Sequence, residues 1–223
     1  MHDFRDIHIH TREHRRSRVG GFFSFMLFVA LLIPFSTVNA STPDPTEQLK
    51  PFIEKVIAIL QDNELKDGEK CNLCQRVIDV ARERFDFQEM SKRVLGKHWK
   101  QISSEQQADF EVLFTRLLEH AYIGKMEEYA GQAVEYKKQR IRGERAEVQT
   151  MLVDSGKSIP VSYIMLLRGD QWMAYDVVIE GVSLVRNYKE QFDQIVSADG
   201  YEHLVSEIEK KIIAIEQGAT GKE

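Results

Sequence analysis

Apolar residues keep helical spacing up to Gly131, alternate from Ala133 to Ile179, and return to helical spacing at Leu184. A recurrence near 3.6 residues lines one face of a helix, and a recurrence of two lines one face of a strand. Helices, then strands, then helices again, without interleaving, exclude a parallel sheet built from alternating units. They predict an α+β fold in which an antiparallel sheet takes helices from both ends of the chain.

Four strands are expected, over about Ala133 to Arg142, Arg145 to Asp154, Ser158 to Arg168 and Gln171 to Ile179. The intervening Arg142-Gly143-Glu144, Asp154-Ser155-Gly156-Lys157 and Arg168-Gly169-Asp170 are short enough for hairpins, so the strands form a meander. Both faces of the last two strands are apolar. One parity carries Val161, Tyr163, Met165 and Leu167, and the other carries Ile164 and Leu166. A sheet with one wet face would alternate more cleanly. The middle of this sheet is therefore covered on both sides or faces a cavity on one.

About six helices are expected around it. Leu49, Phe52, Ile53, Val56, Ile57 and Leu60 define the first, with Pro51 in its first turn, and a second runs from about Leu73 to Arg84. Asp86 as N-cap, Glu89 at N3 and the pair Phe85 and Met90 mark the start of a third. Ser103 with Gln106 repeats the capping logic. The long helix that follows places Phe110, Leu113, Phe114, Leu117, Leu118 and Tyr122 on one face. After the sheet, Leu184 to Val196 and Tyr201 to Ile215 read as two more helices, divided at Asp199-Gly200.

The N-terminal segment has the layout of a cleavable export signal. Arg12, Arg15, Arg16 and Arg18 precede an apolar run from Phe22 to Ile33, Pro34 breaks it, and Val38-Asn39-Ala40 supplies small residues at −3 and −1. The run is shorter than the roughly 20 residues of a spanning helix. The expected organisation is a signal over residues 1–40 cut before Ser41, a flexible leader over 41–46, one domain over 47–216 and a frayed tail from Gln217. Residues 1–40 hold five Lys/Arg and three Asp/Glu, so the mature chain carries a net charge of −7. That charge argues against nucleic acid and against strong adhesion to anionic headgroups.

Motifs for chemistry are sparse. Cys71 and Cys74 form a C-x-x-C after a polar segment, which suits a small-loop disulfide or free thiols better than a redox centre at a strand end. A metal would need further ligands, and His98, His120 and His203 stand at no ligand spacing. Gly156-Lys157-Ser158 resembles the tail of a phosphate-binding loop. It lies between two strands, and Met151 stands where the loop needs its first glycine. Gly181-Val182-Ser183-Leu184-Val185 lacks the second glycine of a nucleophile elbow. Asp176 and Glu180 could in principle do paired acid–base work, but a carboxylate fixing the strand-to-helix turn is the simpler reading. No catalytic residue and no cofactor is assigned.

Phe85-Asp86-Phe87-Gln88-Glu89-Met90, Val94-Leu95-Gly96-Lys97-His98-Trp99 and Ser103-Ser104-Glu105-Gln106-Gln107 resemble the helical half of the MlaC/toluene-tolerance proteins. The run Trp172 to Val185, then Tyr188, Gln191-Phe192 and Gly200, resembles the rest of that family, in the same order. The resemblance covers about Leu49 to Lys211. It implies a twisted antiparallel sheet wrapped by helices, with an apolar cavity between them that holds phospholipid tails. It also implies a periplasmic, monomeric, non-enzymatic carrier that helps maintain outer-membrane lipid asymmetry. The implied partners are an inner-membrane ABC transporter with an MCE-domain subunit and an outer-membrane lipoprotein–porin complex. Related members serve hopanoid pathways, so another lipid of that kind is the alternative cargo, and an enzyme using a similar pocket is the competing class.

If such a cavity exists, the candidates for its wall are Val148 and Leu152 from the second strand, Tyr163 and Met165 from the third, and Tyr175 and Val177 from the fourth. Phe114, Leu117, Leu118 and Tyr122 would come from the long helix. The alternative is that these residues pack on one another as a solid core. On the cavity reading, a tryptophan at Val148 or Met165 displaces tail volume without unfolding the protein.

Overall fold

The computed structural model describes residues 42–62, 70–127, 133–154 and 156–218, with the side chains at 70–74, 123–127 and 154 left out of the description. The expected signal and the side chains of Cys71 and Cys74 lie outside the described residues. The elements before the sheet are α1 (Pro45–Gln61), α2 (Lys70–Arg82), α3 (Phe87–Leu95), a 3₁₀ segment (Gly96–Gln101) and α4 (Ser104–Glu127). The strands are β1 (Ala133–Arg142), β2 (Arg145–Asp154), β3 (Lys157–Arg168), β4 (Gln171–Ile179) and β5 (Val182–Ser183), followed by α5 (Leu184–Asp199) and α6 (Tyr201–Glu216).

The sheet is an antiparallel meander of order β1-β2-β3-β4-β5. It has five strands rather than the expected four. The fifth is two residues long and pairs Val182 with Ile179 and Ser183 with Val178, too short to leave a periodic signal. Glu180 and Gly181 form the connection, with φ of 51° and 84°. Positive φ at both central residues is the geometry of a two-residue hairpin turn that matches strand twist. Lys157 pairs with Asp154, so the Gly-Lys-Ser segment is a hairpin turn and not a phosphate cradle.

Local chemistry sets the helix starts. Asp44 accepts from the backbone N–H groups of Thr46 and Glu47 at 2.8 and 3.0 Å, which starts α1 at Pro45, inside the stretch read as leader. Pro51 consequently lies inside α1 and not in its first turn. Asp86 caps α3 by accepting from the Glu89 N–H at 2.8 Å. Glu89 does not reach back to the cap and instead pairs with Arg93 at 2.7 Å and Arg168 at 3.3 Å. Ser103 and Gln106 form the reciprocal capping box, at 3.1 and 2.9 Å.

The helical layer is fastened to the sheet along β4. Ala174 donates to the Arg84 carbonyl and accepts from the Asp86 N–H, both at 2.8 Å, so Phe85 bridges to the strand in parallel. At the start of β4, the buried Trp172 donates its indole N–H to the Pro43 carbonyl at 2.6 Å, and its backbone N–H to Gln48 at 2.8 Å. At the other end, the buried Asp176 carboxylate accepts from Ser183 Oγ at 2.6 Å and from the Val185 N–H at 2.9 Å. Asp176 thus fixes the turn from strand into α5, and Glu180 makes no contact of that kind.

Buried hydrogen bonds to a charged group contribute about 1.5–3 kcal/mol, and their loss leaves the donors unsatisfied. Asp176→Ala should therefore destabilise the protein by about 2–3 kcal/mol, or lower its Tm by roughly 4–12 °C. Denaturant unfolding checks this, and a change below about 0.5 kcal/mol would show that the turn does not depend on the carboxylate.

A candidate lipid cavity between sheet and helices

α4 is apolar around much of its circumference, and two of its faces do different work. Phe110, Phe114 and Leu117 are almost completely buried. Their partners are α5 and α6. Phe114 meets Tyr188 edge-on at 5.3 Å and Phe192 at 5.9 Å, and Phe110 lies 6.1 Å from Phe192 and 6.2 Å from Tyr201. These contacts join α4 to α5 and α6 as an aromatic layer, and Leu117, Tyr188 and Phe192 also border a second space there. The neighbouring face of α4 carries Leu118, Glu119 and Tyr122, and these border open space.

That space is a cavity of about 560 Å³. Phe52, Ile53, Val56, Ile57 and Leu60 of α1 close one side, with Val77, Ile78 and Ala81 of α2. Phe85, Phe87 and Met90 lie near the start of α3. The sheet contributes Val134 of β1, Leu152 of β2, Ile159, Val161 and Tyr163 of β3, and Val177 and Ile179 of β4. Cross-strand pairing puts these on one face: Leu152 opposes Ile159, Tyr163 opposes Val177, and Val161 opposes Ile179. The register therefore makes a continuous apolar wall from alternate residues of the strands.

The opening lies on the β4–β5 turn and the first turn of α5. Of all the described residues on the wall, the exposed ones are Ile179, Glu180, Val182 and Asn187. Val182 is 62 % exposed and Ile179 37 %, so the lip itself is apolar.

The polar side chains on this wall are few: Glu119, Tyr122, Tyr163, Glu180 and Asn187. Burial raises the pKa of Tyr122, opposed in part by a hydrogen bond with Tyr188. Burial also raises that of Tyr163, reinforced by Tyr136. Both phenols stay neutral at ordinary pH. Tyr136, beside Glu54 and Glu47, is pushed up to about 12, mainly by burial. Among the described residues, no nucleophile is paired with a base on this wall. Among the described residues no cluster of three His, Cys, Asp or Glu could hold a metal ion.

The ten expected wall residues divide evenly. Leu118, Tyr122, Leu152, Tyr163 and Val177 lie on the cavity. Phe114, Leu117, Val148, Met165 and Tyr175 do not. Phe114 and Leu117 belong to the aromatic layer, and Val148 and Met165 are buried on the inner face of the sheet at 1 % and 0 % exposure. Tyr175 sits at the β3–β4 irregularity with the Arg93 guanidinium 3.9 Å from its ring centroid. The α1 residues form an apolar helical stripe in the sequence, but nothing in its spacing says that it faces open space.

The fold and this wall define a class: an α+β protein whose antiparallel sheet and helices enclose an apolar chamber, its mouth edged by Ile179 and Val182 beside Glu180 and Asn187. The model of the MlaC protein family matches residues 50–210, and the chain belongs to that family. The intermembrane phospholipid transport system binding protein MlaC of Haemophilus influenzae is 19 % identical over 195 residues, covering 84 % of this chain and 91 % of that protein. The fold is similar to that of the phospholipid-binding protein from Ralstonia solanacearum, solved in complex with a phospholipid. The TM-score is 0.72 and the identity 26 %, with 78 % of this chain and 99 % of the other covered.

Geometry moves the tryptophan expectation away from Val148 and Met165. Neither has space beside it, and overpacking a filled core costs typically 1–3 kcal/mol. Met165→Trp should lower the Tm by roughly 2–12 °C. Val177→Trp and Leu152→Trp, which grow into the cavity, should change it by less than about 2 °C in protein stripped of ligand. Thermal unfolding of the three variants checks the ranking. Equal losses at all three positions would mean that the chamber is filled in solution.

Proposed function

We propose that this protein is a periplasmic phospholipid carrier that takes acyl tails into the cavity and leaves the headgroup at the mouth. The observation that carries the reading is the apolar chamber of about 560 Å³ with an opening edged by Ile179, Val182, Glu180 and Asn187. The phospholipid complex of the Ralstonia protein and the name of the Haemophilus relative support it.

Energetics favour a carrier that does no chemistry. Each methylene leaving water gains about 0.8 kcal/mol, so a lipid with about thirty of them does not cross an aqueous gap unaided. Moved from a bilayer into an apolar chamber, the same tails change surroundings little. The protein then needs a dry wall, a mouth, and surfaces that align it with donor and acceptor. Direction and energy come from partners. In this reading these are an inner-membrane ABC transporter with an MCE-domain subunit and an outer-membrane lipoprotein–porin complex, and the traffic maintains lipid asymmetry of the outer membrane. The carrier acts as a monomer after removal of residues 1–40. Among the described residues, no helix is long and apolar enough to cross a membrane.

Protein purified from the periplasm without added lipid should release phospholipid into organic solvent, close to one molecule per chain, detected by mass spectrometry. The same sample should show an intact mass beginning at Ser41. A lipid-free protein that also takes up none from vesicles would remove the carrier reading.

A further inference from the structure

Among the described residues, the charge on the cavity wall has one sign. Glu119 is half-buried on α4, and Glu180 is held on the exposed β4–β5 turn, where its backbone N–H donates to the Pro160 carbonyl at 3.0 Å. Both carboxylates border the cavity, and no cationic side chain among the described residues does so. Neither has an ion pair or a side-chain hydrogen bond among the described residues. Asn187, the remaining polar residue of the mouth, accepts from Gln191 at 3.3 Å and is charge-neutral. Arg186 is exposed beside it on α5 and is not part of the wall.

A phospholipid held by its tails presents its phosphate and headgroup to this mouth. The phosphate is anionic in every case, so the Glu180 carboxylate at the mouth and the Glu119 carboxylate on the wall repel it unless the headgroup carries a compensating positive charge. An ammonium supplies that charge and can donate hydrogen bonds to a carboxylate. We infer that Glu119 and Glu180 set headgroup preference, favouring zwitterionic phospholipid with a primary ammonium over net-anionic phospholipid. The inference rests on the carrier reading above and adds the class of lipid to it.

An exposed or partly exposed ion pair contributes modestly, which corresponds to about a two- to fivefold preference at low salt. The preference fades as ionic strength rises, because these groups lie near solvent.

The test uses the mature chain, stripped of ligand and exchanged against vesicles of equimolar phosphatidylethanolamine and phosphatidylglycerol. Bound lipid is extracted and both species are counted by mass spectrometry. Wild type should hold about two- to fivefold more phosphatidylethanolamine than the vesicle ratio. Glu119→Gln with Glu180→Gln should bring the ratio in whatever lipid is bound to about one. Glu180→Gln alone, on an exposed turn, should give an intermediate ratio. A wild-type ratio equal to that of the vesicles, or a bias that survives the double substitution, overturns the inference and leaves the carrier reading in place. Absence of bound lipid in wild type overturns both.

Discussion

Two backbone hydrogen bonds from Ala174 decide how the helices meet the sheet. They tie the segment before α3 to β4 at 2.8 Å each, and Trp172 adds α1 to the same strand through Pro43 and Gln48. Around these ties the inner face of the sheet is filled, with Met165, Ala174 and Trp172 fully buried. Farther along the strands, Leu152, Ile159 and Val177 line the chamber. The cavity is thus a consequence of fastening two layers along one strand. Asp176, at the far end of that strand, fixes the turn into α5 and with it one edge of the mouth.

The same logic explains what could be read from the sequence. Strand limits, hairpin turns and the parity of each strand follow from periodicity and turn chemistry, and they agree with the structure to within a residue for the four long strands. The cavity wall was half legible. Leu118 and Leu117 are adjacent on α4, and so are the faces they occupy. Helical spacing shows that both are apolar, but only the positions of α5 and α6 show that Leu117 joins an aromatic layer and Leu118 borders space. Val148 and Leu152 share a strand face, and strand parity does not say that the first is packed and the second borders space. Phe52, Val56 and Leu60 were visible as a helical stripe whose neighbour no local pattern names. β5 left no signal because two residues have no period, and the N-terminal limit of α1 turned on the Asp44 side chain rather than on apolar spacing.

Function enters through the contrast between the wall and its edge. Apart from Glu119, the described wall inside the mouth is uncharged, because its tyrosines are held neutral by burial. The edge carries the Glu180 carboxylate and exposed apolar residues side by side. A molecule that is long, apolar and polar at one end fits both parts at once. Membership of the MlaC family and the likeness to a phospholipid complex point the same way.

The central claim is that lipid tails lie between the sheet and the helices. Val177 and Val178 are neighbours on β4 that point to opposite faces, since a strand alternates its side chains. A photo-crosslinking amino acid placed at each in turn, followed by irradiation of lipid-loaded protein and intact mass measurement, reads the claim out directly. Crosslinks to phospholipid should form from position 177 and be absent from position 178. Equal labelling from both positions, or labelling from 178 alone, would place the lipid outside the cavity and contradict the account.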